Sequence, residues 1–210
     1  MRISDIKQQK RRTNRVSIYV DGKYSFSLDY NTFIRSGIHL GDKIVQKDID
    51  ALLLKDEYAR ALDYGYLLLS YRDRSEYELR RRLLDKGFHV DLVREVLKFF
   101  RDKKLLDDRQ FAKKWIENSL SSRPMGRMRM KHELKGKMVE DGIIDEVVGE
   151  LVDDDTEMKL ARRLTEKKLE ALKSYPVEVR RARLLRFLKS RGFNFDLIQG
   201  LMKEYFSDDI

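Results

Sequence analysis

The feature that most constrains the fold is an internal repeat with a period of about 50 residues. A segment that begins near Tyr71 recurs twice, and each recurrence keeps apolar residues at the same spacing. The matched positions are Leu79, Leu83, Gly87, Phe88 and Asp91 in the first copy, Met130, Leu134 and Val139 in the second, and Leu184, Leu188, Gly192, Phe193 and Asp196 in the third. Repeats of this length usually form stacked helical units that bind other macromolecules along an extended face. The repeat therefore favours a binding array over a single enzyme core.

The composition supports a helical chain. Charged residues make up 39% of the sequence and hydrophobic residues 41%, with only two prolines among 210 residues. Long stretches of Leu, Arg, Lys and Glu are strong helix formers. We predict a mainly α fold, in which tandem three-helix repeats form an elongated curved array behind a small N-terminal β-hairpin with helices. The predicted segments are 1–55 for the hairpin and its helices, and 56–106, 107–154 and 155–210 for the three repeats.

The N-terminal segment carries the only strand pattern that we recognise. Apolar residues alternate with polar ones over 16–20 and again over 24–28, and Asp21-Gly22 lies between the two runs. This pattern predicts a β-hairpin with a tight turn. We expect the hairpin to pack on helices over Tyr30–Ser36 and Asp48–Lys55. The basic residues before it form either a flexible arm on DNA or, as we favour, a solvated and frayed terminus.

Capping residues predict where the helices of the repeats begin and end. Ser75 with Glu78 has the spacing of a capping box, and Gly87 is suited to a left-handed helix end. The other predicted caps are Asp91 for the third helix of the first repeat, Asp107 with Gln110 in the second repeat, and Asp196 with Gln199 in the third. The repeats should therefore contain three helices each.

The charge is strongly positive, with a formal net charge of +9. A basic chain suits a polyanionic partner, either nucleic acid or an acidic protein surface, although a highly charged helical surface also explains it. In the second repeat a basic block over 123–137 is followed by an acidic block over 140–155. These blocks are either faces of adjacent helices that pair weakly with each other, or charged edges that face a partner.

Several kinds of chemistry have no support in the sequence. Without cysteine there is no disulfide, no thiolate zinc site and no cysteine nucleophile. The two glycine-rich motifs that bind nucleotide phosphates, GxxxxGK followed by Ser or Thr and GxGxxG, are also absent. His39, His89 and His132 are scattered without the spacing of metal ligands. We expect no catalytic residues, no metal and no cofactor. No apolar run has the length of a signal peptide or a membrane span, so we expect a soluble cytoplasmic protein without membrane contact.

Three motifs together resemble the RecX regulators of bacterial recombination. The first runs from Leu69 to Ser75 and continues through Glu78-Leu79-Arg80, Leu83 and Lys86-Gly87-Phe88; the second is Leu106-Asp107-Asp108-Arg109-Gln110-Phe111-Ala112; the third is Gly126 with Arg129 and Glu133-Leu134. The resemblance covers roughly residues 56–206. One departure is Lys137-Met138-Val139, where the family usually has glycine. Because methionine is less suited to positive φ, we expect this helix to run on to Gly142.

The resemblance implies a non-catalytic modulator of the RecA recombinase. Such proteins bind the RecA–DNA filament in its helical groove and mostly inhibit ATP hydrolysis, strand exchange and coprotease activity in the SOS response. We therefore expect the filament, and possibly the DNA within it, as the partner of a monomeric chain. The candidate partner-binding residues, taken as a group, are Arg72, Arg74, Arg81, Arg109, Arg127, Arg129 and Lys131. A stand-alone basic helical DNA-binding protein is the alternative, and a purely structural scaffold is a third.

Overall fold

The computed structural model describes residues 1–11 and 13–206, so Arg12 of the basic N-terminus and the last four positions of the third repeat lie outside the described residues. The predicted hairpin is confirmed. Strands β2 (Arg15–Val20) and β3 (Lys23–Asp29) pair antiparallel. Asp21 and Gly22 join them with φ angles of 49° and 81°, which is the positive-φ pair of a tight hairpin turn.

The N-terminal residues, which we expected to be frayed, form a third strand. Strand β1 (Ile3–Gln8) pairs antiparallel with β2, and the sheet order is β1-β2-β3. An irregularity between Ile3 and Asp5 lets Ile3 lie opposite Val20 while Ile6 lies opposite Ile18. Ile3 and Ile6 therefore pack in the same core. In a regular strand, residues three apart would point to opposite faces of the sheet. The usual alternation of a half-buried strand is broken here, so the sequence pattern did not reveal it.

Helix α1 (Tyr30–Ser36) agrees with the prediction, whereas the second predicted helix is only the start of a longer one. Helix α2 (Gln46–Tyr71) runs without a break through the predicted segment boundary at residue 55. Asp56, in its middle, is 1% exposed and accepts hydrogen bonds from the Asp29 amide and from Arg60 Nε. A buried carboxylate needs such partners, and here they tie the sheet to the helix.

The first three-helix repeat consists of the later part of α2 with α3 (Glu76–Asp85) and α4 (Val90–Asp102). The matched positions Leu79 and Leu83 are buried in this repeat, and its other buried apolar residues include Ala61, Val93, Val96, Leu97 and Phe100. The predicted cap of α4 is wrong. His89 is the N-cap and its Nδ1 accepts a hydrogen bond from the Asp91 amide, so Asp91 lies inside the first turn.

The chain divides into two compact units. The first comprises residues 1–73 with 79–103, and the second comprises residues 74–78 with the chain from Lys104 onward. The second unit contains α5 (Asp108–Ser122), α6 (Arg127–Lys135) and α7 (Asp141–Leu151), followed by α8 (Asp154–Glu170), α9 (Val177–Ser190) and α10 (Phe195–Phe206). These are the predicted second and third repeats, and each has its own buried cluster.

The middle helix of each repeat ends in the same way. The N–H of an apolar residue, Phe88, Val139 or Phe193, reaches back to a carbonyl five residues earlier, which is the Schellman motif. The expectation that α6 would continue to Gly142 is wrong. Met138 takes a φ of 56°, and Gly142 lies in α7. Burial of Val139, which is 4% exposed, requires the chain to turn at this point.

Helices α5 and α10 both begin at a side-chain N-cap. Asp107 caps α5 as predicted, because its Oδ1 accepts hydrogen bonds from the amides of Arg109 and Gln110 at 2.9 and 3.0 Å. Helix α10 is capped differently from the prediction. Asn194 Oδ1 accepts from the Leu197 amide at 2.7 Å, and Asp196 is in the first turn of the helix. Asparagine and aspartate are both good N-caps, so residue type alone does not decide between Asn194 and Asp196.

Candidate partner-binding surfaces

The first motif is anchored by a buried serine. The Ser75 hydroxyl accepts a hydrogen bond from the Glu78 amide at 3.2 Å, which confirms the predicted cap, and donates to the Lys137 carbonyl at 2.9 Å. Lys137 Nζ in turn lies 3.0 Å from Glu78 Oε1. A buried hydroxyl that both accepts and donates fixes the start of α3 in the second unit.

A second contact holds the same turn. Asp108, in the first turn of α5, accepts a hydrogen bond from the Glu76 amide at 2.7 Å. Burial raises the pKa of the Asp108 carboxyl above its ordinary value, although the hydrogen bond from Glu76 opposes this shift. These contacts give residues 74–78 a structural role, since they orient the chain on which Arg74 lies.

Arg72 and Arg81, both in the first unit, lie on the surface. Arg72 is exposed and donates from Nη1 to the Asp73 carbonyl at 2.8 Å. The Arg81 side chain is 69% exposed, and its Nε lies 3.9 Å from Asp85 one helical turn later. Such a loose, exposed pair contributes little to stability. Arg74, which belongs to the second unit, is half-buried.

Arg127 lies in a buried ion pair at the start of α6. Glu157, which is 1% exposed, accepts from the Arg127 amide at 2.8 Å and from its Nε at 2.6 Å. Asp154 also accepts from Nη2 of Arg127. Burial by itself lowers the pKa of Arg127, but the hydrogen bonds to Asp154 and Glu157 and their negative charges together outweigh it and raise that pKa. The arginine therefore joins the second repeat to α8 of the third.

Arg129 and two glycines complete this junction. Arg129 donates from Nη1 to the Ser190 carbonyl at 2.7 Å and from Nε to Glu133 at 2.9 Å. Gly126 donates its amide to the Arg191 carbonyl at 2.9 Å. A Cβ on Gly126 would overlap the backbone of Gly192, and a Cβ on Gly192 would overlap Arg129. The two backbones thus approach each other too closely for any larger residue.

Arg109 and Lys131 form ion pairs within the second repeat. Arg109 Nη2 lies 3.0 Å from Glu146 and 2.8 Å from Glu150, and these carboxylates raise its pKa, with the Glu146 hydrogen bond as the largest cause. Lys131 Nζ lies 2.6 Å from Asp145. The basic block on α6 therefore pairs with the acidic block on α7 through Lys131–Asp145 and Lys135–Asp141. This arrangement agrees with the pairing interpretation of those blocks.

The predicted residues are thus distributed over several places. Arg72 and Arg81 are exposed on the first unit, while Arg109, Arg127, Arg129 and Lys131 have acidic partners within the second. Their role in binding a partner stays a prediction. The sequence interpretation missed an exposed apolar stripe on α2 that includes Leu67 and Tyr71, whose side chains are 49% and 74% exposed. The available signal was the spacing of three residues from Tyr64 to Leu67 and of four residues from Leu67 to Tyr71.

Family comparisons account for most of the chain. Residues 1–45 match the regulatory protein RecX N-terminal domain. Residues 61–100, 107–148 and 155–202 match the first, second and third three-helix domains of RecX, respectively. A regulatory protein RecX of Clostridium perfringens is 30% identical over 205 residues, which covers 96% of this chain and 95% of that protein. The chain belongs to the RecX family.

Other RecX proteins extend the agreement in sequence and fold. The RecX of Bacillus licheniformis is 30% identical over 213 residues and is covered to 79% of its length. A crystal structure of a regulatory protein RecX superposes with a TM-score of 0.74, at 25% identity, over 97% of this chain and 98% of that one. The RecX structure from Lactobacillus salivarius gives 0.65 at 21% identity over 71% of this chain, which supports the shared fold alone.

Among residues 1–11 and 13–206 of this RecX-family chain, no helix is both long and apolar enough to cross a membrane. Over the same residues, no group of three or more His, Asp or Glu side chains is arranged to hold a metal ion. The matched domains follow one another along the chain, and the segment bounds 1–55, 56–106, 107–154 and 155–210 stay a prediction.

Proposed function

We propose that this RecX-family chain is a non-catalytic regulator that binds the filament of the RecA recombinase on DNA. Bound there, it restrains ATP hydrolysis, strand exchange and coprotease activity. The observation that carries the proposal is family membership along nearly the whole chain, because the relatives that match it end to end are named regulatory proteins. The protein acts as a monomer in the cytoplasm, without metal or cofactor.

The repeated architecture suits a polymeric partner. The second and third repeats have separate buried clusters, so each can present its own surface without depending on a shared core. Successive repeats on one chain then contact successive subunits of a filament. Linked weak contacts gain affinity because the second contact forms at a high effective concentration. A filament offers such repeated contacts, whereas an isolated subunit does not.

Arginine side chains are the proposed contacts. The group comprises Arg72, Arg74, Arg81, Arg109, Arg127, Arg129 and Lys131. The planar guanidinium fork binds carboxylate and phosphate groups with two hydrogen bonds, and both groups are present in a protein–DNA filament. Arg72 and Arg81 support this role most directly, because their side chains are exposed in the first unit.

A titration of RecA ATPase activity on single-stranded DNA tests the proposal. We expect the wild-type protein to lower the rate of ATP hydrolysis at substoichiometric ratios. The double variant Arg72→Glu/Arg74→Glu should need at least about tenfold more protein for the same inhibition, because like charges repel at an interface. The matched control is Lys47→Glu/Lys98→Glu, which changes two exposed lysines and gives the same net charge.

Far-ultraviolet circular dichroism must show equal helix content in all three proteins. A wild-type protein without effect on the ATPase rate would refute the proposed function. Equal weakening by the control pair would show that net charge alone, rather than the first motif, determines inhibition.

A further inference from the structure

Helices α6 and α9 occupy equivalent positions in their repeats but differ in how their charges are neutralised. Both helices bury apolar residues at matched positions and end in the same Schellman motif. The arginines and lysines of α6 and of the turn after it all have a carboxylate partner; these are Arg127, Arg129, Lys131, Lys135 and Lys137. A paired charge is largely cancelled at a distance and attracts a polyanion weakly.

Helix α9 carries five basic residues and one acidic residue, Glu178. Arg181, Arg186 and Lys189 are exposed, and among residues 1–11 and 13–206 none of the three has a carboxylate oxygen within 4.0 Å. Arg186 Nε donates only to the Ala182 carbonyl of its own helix, at 3.3 Å. Their charges are therefore not cancelled by direct ion pairs within the described part of the chain.

The three side chains lie along one exposed face. Arg181, Leu185 and Lys189 follow one another at intervals of four residues, and Arg186 lies one helical turn before Lys189. From Arg181 to Lys189 the helix rises by about 12 Å. A nucleic-acid strand places successive phosphates about 3.4 Å apart along the helix axis, so this face spans several of them. Glu178 begins the same face, and the basic charge increases from it toward the C-terminal end of α9.

We propose that the exposed face of α9, with Arg181, Arg186 and Lys189, binds the phosphate backbone of nucleic acid. Guanidinium groups suit phosphate oxygens, and binding without base contacts needs only such a row of positive charge. An acidic protein partner is less well matched, because the core of a protein interface is apolar and depleted of charge. On this face only Leu185 is an exposed large apolar residue, at 40%.

Fluorescence anisotropy with a labelled oligothymidylate and no recombinase present tests this site. Between about 50 and 200 mM salt, we expect Arg181→Gln/Arg186→Gln/Lys189→Gln to bind the oligonucleotide about tenfold more weakly or worse at the low-salt end. The slope of log affinity against log salt should fall in magnitude by about 2, since each phosphate contact on a single strand contributes about 0.7. The matched control, Lys23→Gln/Lys47→Gln/Lys98→Gln, removes three exposed charges from the first unit and should keep the wild-type slope.

Three results would overturn the site. The wild type could show no salt-dependent binding, or the control could lose as much affinity as the α9 variant, so that net charge alone explains it. The α9 variant could instead keep its DNA affinity here and lose inhibition in the separate ATPase titration, which would assign the face to a protein. Because the assay contains no recombinase, its failure leaves the proposed regulation of the filament untouched.

Discussion

Single residues determine how each repeat turns after its middle helix. Gly87, Met138 and Gly192 take φ angles of 93°, 56° and 79° at the three equivalent positions. Glycine accepts this conformation without a steric penalty, whereas a residue with a Cβ is destabilised there by about 1–2 kcal/mol. Met138 is 62% exposed, so its side chain recovers little by burial. The second repeat therefore keeps the turn in spite of an unfavourable residue.

Replacing Met138 with glycine should stabilise the protein. We expect Met138→Gly to raise the free energy of unfolding by about 1 kcal/mol, because the left-handed strain is removed and few contacts are lost. Urea unfolding followed by circular dichroism measures the change. The control is Met128→Gly, at an equally exposed position inside α6, which should lower stability by about 1 kcal/mol. A loss of stability in Met138→Gly would contradict this account of the turn.

At the scale of helices and strands, the repeats follow from the sequence because their cores are local. Leu83, Leu134 and Leu188 occupy the same position in the three repeats, and all three are fully buried. The elements that were missed depend on distant partners. Strand β1 forms because it pairs with β2 through an irregular register, and this register cannot be predicted from the sequence of β1 alone. The α10 cap lies two residues before the predicted one, because the side-chain oxygens of Asn194 and Asp196 are equally able to accept a hydrogen bond at the start of a helix.

The two glycine turns of equal conformation should respond differently to alanine. Nothing lies within 4 Å of a Cβ built on Gly87, whereas a Cβ on Gly192 overlaps the Arg129 backbone. We expect Gly87→Ala to lower stability by about 1 kcal/mol, from backbone strain alone. Gly192→Ala should lower it by about 3 kcal/mol or more, because overpacking adds to the strain. Urea midpoints compare the two, and equal losses would mean that the junction adapts at no cost.

For the molecule as a whole, the sequence predicts the number of repeats and the net charge, but it does not predict which segments join each of the two compact units. Residues 74–78 belong to the second unit although α3 continues into the first. Their anchor, Ser75 to Lys137, joins positions 62 residues apart, which no local pattern reveals. The pairing of charges was equally hidden. Arg127 was predicted as a partner contact on its type and neighbours, and its buried partner Glu157 lies 30 residues away.

Loss of the Arg127 side chain should destabilise one unit selectively. We expect Arg127→Ala to lower the free energy of unfolding by about 3–5 kcal/mol, because the buried carboxylate of Glu157 is left without its charged partner. Hydrogen exchange should then quicken in α6 and α8, while α2 and the N-terminal sheet keep their protection. Lys131→Ala removes a pair with exposed partners and should cost less than about 1 kcal/mol. Equal exchange in the two variants would show that the buried pair contributes no more than an exposed one.

The unbroken course of α2 has a geometric consequence for the first unit. The helix holds the sheet at Asp56 and packs against Phe100 of the first repeat at Gly65, so nine residues of one rigid rod separate the two attachments. Each residue of an α-helix adds a rise of about 1.5 Å and a rotation of roughly 100°. An insertion or deletion between these points would turn the sheet about the helix axis relative to the first repeat. The length of this helical segment, in whole residues, therefore sets the angular phase between the N-terminal sheet and the first repeat.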